Sequence, residues 1–455
     1  MPQILSSFYC NFETSKTYFL RTNLHKQIAN PTNFKQQLLV WSQQFREVVF
    51  LDSNAHQDSY SQYDCILAVD AFTSLKTDQF NAFESLKQYQ QTTKDWLFGY
   101  LSYDLKNDVE VLYSANQDGL QFPDLYFFQP KKIFLIKGNN LEIRYLNLCD
   151  DELEADFSDI QRTPYNLQLT IVNLQPSTVN IQQRVSKEIY VEKVGKMLEH
   201  IHHGDIYEAN FCMEFYAENA TIHPLEKFVK LNAISQAPFS VFFKNHQHYL
   251  LSASPERYLK KDGERIISQP IKGTAKRFAD PEQDEISKEN LANDPKERSE
   301  NIMITDLVRN DLSRTAQKGS VKVAELCGIY SFLQVHQMIS TITSNLKEPY
   351  AAIDVLKTTF PMGSMTGAPK ISAMQIIENL EATKRGLYSG AVGYFTPEND
   401  FDFNVVIRSI LYNQDKKYVS FSVGSAITSQ SIPEMEYEEC LLKAKAMLEV
   451  LEGEG

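Results

Sequence analysis

Hydrophobic and polar residues alternate over short stretches throughout the first third of the chain. The alternating and aromatic runs are "REVVFLDS", "DCILAVD", "WLFGYLSYDL", "DLYFFQPKKIFLIKG" and "LEIRYLNL". A period of two is typical of strands with one buried face, and turn-forming segments such as "KGNN" separate the runs. Residues 1–165 are therefore predicted to form a mainly antiparallel β domain.

The pattern changes after a polar stretch near 173–187, which is predicted to be a connector. Strand-like runs then alternate with amphipathic helices, and the strand-like runs are "YLLSASPERYL", "GAVGYFTP", "FNVVIRSILY" and "YVSFSVGSAIT". The whole pattern predicts an α+β protein with large antiparallel sheets and flanking helices. A chain of 455 residues is long for one simple core, so we expect two interleaved layers, with a second domain at 185–455.

Two helices have clear signals. The first is expected to begin with Asp294 as N-cap, Pro295 at the first helical position and Glu297 at N3, which is a capping box. Its buried stripe is predicted to consist of Ile304, Leu307, Val308 and Leu312. The second helix, in "PEMEYEECLLKAKAMLEVLE", has an apolar side with Leu441, Leu448 and Leu451. Glu439 and Lys443 are four residues apart, so they share one face of that helix.

Composition and charge exclude several classes of protein. The net charge of −13 provides no basic surplus for binding a nucleic-acid backbone. No apolar run approaches the roughly 20 residues that a membrane helix needs, and the start lacks the features of a signal peptide. The six cysteines are scattered without a CxxC pair, which favours reduced thiols and a cytoplasmic location.

Several residues suggest chemistry, although each also has a simpler interpretation. Lys272 in "RIISQPIKGTAKR" follows a strand and precedes a glycine turn, where a surface charge is the ordinary interpretation. Arg408 interrupts an apolar strand and needs an anionic partner, because an unpaired buried charge is costly. His336 in "LQVHQMIST" would usually be a hydrogen-bonded core residue. The glycines of "PMGSMTGAPK" do not match the spacing of a phosphate-binding loop.

Nine motifs taken together resemble one family. In chain order they are "SASPERY", "PIKGTAKR", "KERSENIMITDLVRNDLSR", "VHQMIST", "FPMGSMTGAPK", "GAVGYF", "VVIRS", "SVGSAIT" and "EYEECLLKAKAM". This order is similar to that of the chorismate-utilising enzymes, which include the synthase subunits of anthranilate and aminodeoxychorismate synthases and the isochorismate and salicylate synthases. The resemblance is strong over residues 185–455 and looser before them, and it implies the fold of that family.

Lys272 indicates a branch of the family. Members that form anthranilate typically have alanine in the corresponding stretch, whereas "PIKGT" resembles the branch that forms 4-amino-4-deoxychorismate, a precursor in folate (para-aminobenzoate) biosynthesis. The resemblance implies that Lys272 attacks C2 of chorismate while the C4 hydroxyl departs, and that ammonia then displaces the lysine. A lysine used in this way needs its ammonium form disfavoured, by burial or by a neighbouring cation.

Further roles are implied by position in the family motifs. Glu256 matches the general acid, and its pKa should be raised so that it holds a proton. Glu300 and Glu439 match two carboxylates that hold Mg²⁺, which takes the ring carboxylate of the substrate. The residues expected to bind or orient the substrate are Thr274, His336, Tyr394, Arg408, Gly424 and Lys443.

The sequence departs from the family pattern at three positions. Asn301 stands where many relatives have histidine, and Glu208 replaces a glutamine that is common in the amine-forming members. The water-adding branches have lysine at the position of Glu208, so its absence counts against those reactions. A carboxylate there would help to deprotonate incoming ammonium, which is a hypothesis. Gln62 replaces an arginine that is frequent at that place in the pocket described next.

The resemblance also implies a tryptophan pocket in the N-terminal part. Its residues would be Ser53, Tyr60, Ser61, Pro238, Phe239 and Ser240. Packing between layers is an equally good interpretation of them, because aromatic residues usually serve cores.

No glutaminase nucleophile motif such as GxCxG is present, so we expect a separate glutamine amidotransferase subunit to supply the ammonia. Two alternatives remain. One is the anthranilate-forming reaction of tryptophan biosynthesis, and the other is a non-catalytic subunit that binds tryptophan.

Overall fold

The computed structural model describes residues 20–56, 59–164, 179–333 and 335–453. The strands are β1 (Arg21–Gln27), β2 (Glu47–Asp52), β3 (Cys65–Thr77), β4 (Leu97–Leu101), β5 (Leu125–Lys137), β6 (Asn140–Leu146), β7 (Gln182–Gln183), β8 (Glu208–Ala217), β9 (Phe239–Asn245), β10 (His248–Ser254), β11 (Arg257–Asp262), β12 (Arg265–Gln269), β13 (Ile271–Lys276), β14 (Lys322–Ser331), β15 (Val335–Asn345), β16 (Gly367–Ala368), β17 (Ala391–Phe395), β18 (Phe401–Val405), β19 (Ser409–Asn413) and β20 (Tyr418–Thr428). The helices are α1 (Pro31–Trp41), α2 (Ala82–Thr93), α3 (Lys106–Val109), α4 (Leu153–Arg162), α5 (Lys187–His203), α6 (Pro224–Ser235), α7 (Pro281–Asn293), α8 (Pro295–Ser313), α9 (Ala352–Thr359), α10 (Lys370–Leu380) and α11 (Pro433–Glu452).

The long strand β5 joins two antiparallel sheets. Along one edge β5 pairs with β3, and along the other it pairs first with β4 and then with β6. The first sheet runs β1–β6–β5–β3–β2–β9–β10–β19–β20–β8, with β7 and β16 on the far edge of β8. The second runs β5–β4–β17–β18–β11–β12–β15, and β15 also pairs with β13 and β14. The predicted α+β class with large antiparallel sheets is confirmed.

Two large clusters of buried apolar residues pack against the sheets. Between the sheets, Phe243 of β9 contacts Tyr100 of β4 and Tyr126 of β5, with ring centroids 5.3 and 6.2 Å apart. On the other face of the first sheet, Tyr190 of α5 packs against Phe211 of β8 and Tyr437 of α11. The central part of the first sheet is therefore covered on both faces, which explains why β8 and β10 are buried along almost their whole length.

The predicted helices form with small differences. Asp294 caps α8 by accepting hydrogen bonds from the backbone N–H groups of Lys296 and Glu297. Ile304, Val308 and Leu312 are buried as expected, whereas Leu307 is half-buried. In α11, Leu451 is buried, and Leu441 and Leu448 are partly buried against the first core.

The predicted connector at 173–187 lies partly outside the described residues. From residue 179 the chain adds β7 to the edge of β8, and α5 begins at Lys187 behind the N-cap Ser186. The five cysteines of the described ranges are buried free thiols. No helix in these ranges combines the length and the apolar character needed to cross a membrane.

Candidate active site

A cleft of ≈ 550 Å³ brings together eight of the ten residues that were predicted to catalyse, bind metal or bind substrate. They are Glu256, Lys272, Thr274, Glu300, Arg408, Gly424, Glu439 and Lys443. The cleft lies where β13, the first turns of α8, the end of β20 and one face of α11 meet. A volume of this size suits a small organic ligand.

Lys272 enters the cleft from an irregular strand. The pairing of β13 with β15 shifts register between Ile271 and Thr274, and Gly273 between them has a φ of +101°. Such a bulge re-aims the neighbouring side chain, and glycine tolerates this backbone conformation. Lys272 therefore lies within a strand, at a bulge that directs its amine into the cleft, and not between a strand and a turn as the sequence suggested.

Asn301 holds this bulge from the neighbouring helix. Its side-chain amide donates hydrogen bonds to the carbonyl oxygens of Lys272 at 3.0 Å and Met338 at 3.1 Å. Its oxygen accepts a hydrogen bond from the hydroxyl of Ser340. The asparagine that departs from the family pattern is thus a fully bonded anchor of the lysine strand.

The amine of Lys272 forms an ion pair with Glu208. Lys272 Nζ lies 2.8 Å from Glu208 Oε1, and both side chains are largely buried. Burial by itself lowers the pKa of Lys272, but Glu208 and then Glu300 outweigh that effect and raise the pKa above its ordinary value. The expected disfavouring of the ammonium form is therefore wrong for this arrangement, in which Lys272 is a held ammonium ion.

Glu256 has the environment expected of an acid. It is 4% exposed and its Oε1 accepts a 2.6 Å hydrogen bond from the Ser364 hydroxyl. Burial raises the pKa of Glu256 to about 7, a value that the Ser364 hydrogen bond and the charge of Lys272 keep from rising further. A carboxyl group with this pKa can donate a proton near neutral pH.

The two predicted metal ligands both face the cleft. Glu300 Oε1 is buried and has no hydrogen-bond partner, and burial raises the pKa of Glu300 to about 7. Burial also opposes the charge of Glu439, but Lys443, 2.6 Å away, lowers its pKa. In the described ranges no group of three or more His, Cys, Asp or Glu side chains is arranged to hold a metal ion. A buried carboxylate whose Oε1 accepts no hydrogen bond and a second carboxylate on the facing helix fit Mg²⁺, which usually keeps water or substrate oxygens as its remaining ligands.

Arg408 lines the same cleft and lies in a break between two strands. The predicted single strand around it is in fact two strands, because β18 ends at Val405 and β19 begins at Ser409. Arg408 lies in this break with a φ of +52°, and burial lowers its pKa. No carboxylate of the described residues forms an ion pair with it. A partly buried, unpaired guanidinium is suited to a planar carboxylate ligand.

Gly424 and Lys443 also line the cleft. A Cβ atom on Gly424 would lie 2.6 Å from Cys212 Sγ and 2.9 Å from the carbonyl oxygen of Phe211, so only glycine fits. The amine of Lys443 donates a 2.9 Å hydrogen bond to the Gly424 carbonyl oxygen. Tyr388, which the sequence analysis missed, lines the cleft beside Arg408.

The structure does not bring Tyr394 into this cleft. Its ring stacks at 5.7 Å on Trp96 and 5.6 Å on Phe98, and it borders the N-terminal pocket instead. The prediction that Tyr394 grips a substrate carboxylate is therefore wrong in its placement. Tyr388 occupies the position beside Arg408 that was assigned to Tyr394.

His336 points away from the cleft as well. Its neighbours Val335 and Gln337 line the cleft, and side chains alternate along a strand, so His336 faces the opposite side of β15. Its ring nitrogens lie 2.8 Å from the Ser331 hydroxyl and 3.1 Å from Asp284. Gln337 faces the cleft instead, and its buried side-chain oxygen Oε1 has no hydrogen-bond partner among the described residues. Gln337 is the residue of β15 that pairs with Thr274, and paired residues of neighbouring strands face the same side of a sheet. This pairing would have identified Gln337 as the residue that faces the cleft.

Other charged residues of the cleft were also missed. Lys296 lies 3.9 Å from Glu300 and 3.7 Å from Glu436, and Glu297 packs against Gly273. Lys296 and Glu297 lie in the first turn of α8, directly after its N-cap. The sequence of this turn indicated only the start of a helix.

The predicted N-terminal pocket exists but is small. It has a volume of ≈ 60 Å³, and its lining includes Ser53, Ser61, Pro238, Phe239 and Ser240. Tyr60 contributes differently, because its carbonyl oxygen accepts a hydrogen bond from Lys260 and its ring lies under Arg265. The guanidinium of Arg257 lies 4.9 Å from the Phe239 ring centre and donates a hydrogen bond to Ser61. Tryptophan binding here stays a prediction.

Comparison with known proteins agrees with the motif order. A family model for chorismate binding enzymes matches residues 40–449. Over 354 residues the chain is 40% identical to aminodeoxychorismate synthase component 1 of Escherichia coli, covering 78% of this chain and 76% of that protein. It is 34% identical over 357 residues to anthranilate synthase component 1 of Thermus thermophilus, covering 78% of this chain and 77% of that protein.

Solved structures share the fold at lower identity. Anthranilate synthase component I from Streptococcus pneumoniae TIGR4 superposes with a TM-score of 0.72 at 23% identity, covering 86% of this chain and 93% of that chain. The menaquinone-specific isochorismate synthase of Escherichia coli gives a TM-score of 0.74 at 17% identity, covering 95% and 94%. By the extent of the family match and the identity to these relatives, the chain belongs to the chorismate-binding enzyme family.

Proposed function

We propose that the protein converts chorismate and ammonia to 4-amino-4-deoxychorismate through a covalent intermediate on Lys272. The observation that carries this proposal is the arrangement of one cleft, which is lined by the Lys272 amine, the acid Glu256, the carboxylate Glu300 and the cation Arg408. Similarity to several proteins named aminodeoxychorismate synthase component 1 supports the same reaction.

The proposed reaction has two substitution steps. In the first, the neutral amine of Lys272 bonds to C2, the two conjugated ring double bonds shift, and the C4 oxygen leaves as water with a proton from Glu256. In the second, ammonia bonds to C4, the two double bonds shift back, the bond between C2 and the Lys272 nitrogen breaks, and the new ammonium group on C4 returns one proton to Glu256. Overall, ammonia replaces the C4 hydroxyl group and one water molecule is released. The enolpyruvyl group takes no part in either step and stays on the ring.

The charged groups of the cleft would divide the binding of a dianionic substrate. Arg408 would take the enolpyruvyl carboxylate, with Tyr388 and the Gly424 backbone beside it. Glu300 and Glu439 would hold Mg²⁺ near the ring carboxylate, and a bound magnesium ion supplies charge neutralisation there. Because burial raises the pKa of Glu256 to about 7, a large fraction of Glu256 would hold a proton near neutral pH and could donate it to the C4 oxygen.

We further infer that the ammonia comes from a glutamine amidotransferase subunit and that the product serves folate biosynthesis in the cytoplasm. The name "component 1" of the relatives supports a partner subunit. With ammonium salts the partner is not needed, so the reaction itself can be tested on this chain alone.

Product analysis tests the proposal. The purified protein is incubated with chorismate, Mg²⁺ and an ammonium salt, and the products are separated by chromatography and identified by mass. We expect 4-amino-4-deoxychorismate without release of pyruvate. Fluorescent anthranilate together with pyruvate would overturn the proposal in favour of the anthranilate-forming reaction, and no loss of chorismate under any condition would favour a non-catalytic subunit.

A further inference from the structure

The ion pair between Glu208 and Lys272 raises a question that the proposed function leaves open. An ammonium group has no lone pair, so Lys272 must lose a proton before it can bond to carbon. Glu208 is the one carboxylate that forms an ion pair with Lys272 in the described part of the chain. The exposed fraction of the Lys272 side chain is only 11% even with the cleft open.

The fold fixes Glu208 in place. It is the first residue of β8 and lies between Ala368 of β16 and Thr428 of β20 in the sheet. A Cβ atom on Gly367 would lie 2.1 Å from the Glu208 carbonyl oxygen, so β16 packs directly against this residue. The Glu208 side chain is 2% exposed, and its Oε2 has no hydrogen-bond partner. A carboxylate on paired strands holds its position better than one on a loop.

Other charges around Lys272 act on its proton but do not offer a direct route for it. Glu300 and Glu297 face it from α8, Glu256 from the turn before β11, and Glu439 from α11. Each of these carboxylates favours the ammonium form at a distance, whereas Glu208 Oε1 is at hydrogen-bonding distance. Burial disfavours charged groups relative to neutral ones. Transfer of one proton from Lys272 Nζ to Glu208 Oε1 along their hydrogen bond would convert this buried ion pair to a neutral amine and a neutral carboxylic acid.

We propose that Glu208 is the base that accepts the proton of Lys272 when chorismate fills the cleft, an inference that rests on the proposed covalent step. One N–H bond of the ammonium breaks, one O–H bond forms on Glu208, and the net charge of the pair is unchanged. The resulting amine attacks C2. When the bond to C2 breaks in the second step, Glu208 returns the proton, so the pair ends the cycle as it began.

The test measures formation of the Lys272 adduct by rapid quench and intact mass, with chorismate and Mg²⁺ but no nitrogen source. Leaving ammonia out removes its own titration from the pH profile. The variants are Glu208→Gln, which keeps the shape but cannot accept a proton, and Glu208→Asp, which keeps the carboxylate. Glu192→Gln, an exposed carboxylate on α5, controls for the change in net charge.

We expect the rate ratio of Glu208→Gln to wild type to be below about 0.1 at pH 6.5 and to rise by about tenfold per pH unit while Lys272 stays mostly protonated. In this variant the proton must pass to solvent, so the amine appears only as the pH rises. Glu208→Asp is expected to be slower than wild type by a factor that does not depend on pH, and Glu192→Gln to equal wild type.

A ratio for Glu208→Gln that is constant across pH would overturn the role of Glu208 while leaving the covalent mechanism intact. Absence of any adduct in the wild-type protein, with normal product formation when ammonium is added, would overturn the covalent step and this inference together.

Discussion

At the scale of single residues, the proposed mechanism depends on charges that the protein leaves without a partner until substrate arrives. Arg408 has no carboxylate partner among the described residues, and burial lowers its pKa. Removing a buried charge that meets a ligand charge costs about 2–3 kcal/mol or more. For Arg408→Gln we therefore expect kcat/KM for chorismate to fall by about 30- to 150-fold, mainly through KM.

Steady-state kinetics with ammonium salts measure this effect. Arg309→Gln is the matched control, because Arg309 is an exposed arginine of α8 that pairs only with Asp306. A change in Arg408→Gln no larger than in the control would contradict the assignment of Arg408 to a substrate carboxylate.

Glu256 provides a prediction about stability and pH. Its pKa is raised from 4.5 to about 7 by burial, so between these values the folded protein binds more protons than the unfolded chain. The stability of the fold therefore decreases as the pH rises through this window, by about 3 kcal/mol in total. Glu256→Gln removes this cost because glutamine does not ionise.

We therefore expect Glu256→Gln to unfold at a higher denaturant concentration than wild type at pH 8, and at a similar one at pH 4.5, where Glu256 is protonated in the folded state and about half protonated in the unfolded chain, so that little of the cost remains. Denaturant titrations followed by circular dichroism at the two pH values measure this. The variant should also lose activity. A variant that is less stable than wild type at pH 8 would show that Glu256 is a stabilising anion and not a buried acid.

At the scale of elements, the bulge in β13 directs the Lys272 side chain into the cleft. Gly273 has a φ of +101°, and a Cβ atom there would lie 3.1 Å from Met338 Cβ and 3.2 Å from Glu297 Oε2. A side chain at such a φ costs of order 1–3 kcal/mol. We expect Gly273→Ala to lower the free energy of unfolding by about that amount and to slow adduct formation strongly.

The matched control is Gly263→Ala in the turn between β11 and β12, where φ is +58° and no atom lies within 4 Å of the added Cβ. Chemical denaturation and adduct formation are measured on both variants. Wild-type rates of adduct formation in Gly273→Ala would contradict the view that the bulge aims the lysine.

Much at this scale was predictable from the sequence, and the failures share one cause. The capping signal at Asp294 and the runs of apolar and aromatic residues around β2 to β6 specify local structure, so α8 and these strands form as predicted, although most of β2, β4 and β5 is buried on both faces. His336 and Tyr394 were assigned by motif alone, although a strand sends neighbouring side chains to opposite faces. A sequence motif identifies the position of a residue along the chain. It does not show which face of a strand the side chain of that residue points from.

The pairing of Glu208 with Lys272 and the anchoring by Asn301 could not be predicted in this way. Glu208 and Lys272 meet only because β8 and β13 lie at adjoining edges of two different sheets. A contact of this kind is set by the tertiary fold, and no local period in the sequence encodes it.

At the scale of the whole molecule, the two sequence regions share their sheets. Strand β2 of the first region pairs with β9 of the second, and β4 pairs with β17. Phe243 fills the core between Tyr100 and Tyr126 of the first region. We therefore expect one cooperative unfolding transition for both regions.

The two tryptophans make this measurable, because Trp41 and Trp96 both belong to the first region. Tryptophan fluorescence then follows that region, whereas far-ultraviolet circular dichroism follows the whole chain. The two denaturation curves should coincide. Separate midpoints would show that the first region unfolds independently of the catalytic one.

The most direct test of the central claim is the mass of the protein after it meets chorismate without any nitrogen source. Quenched samples of wild type and Lys272→Ala are compared by intact mass, and the modified peptide is mapped. The covalent mechanism predicts that wild type gains the mass of chorismate less one water on Lys272 and that Lys272→Ala gains nothing. An unmodified wild-type protein, together with a Lys272→Ala variant that still aminates chorismate at the wild-type rate, would contradict it.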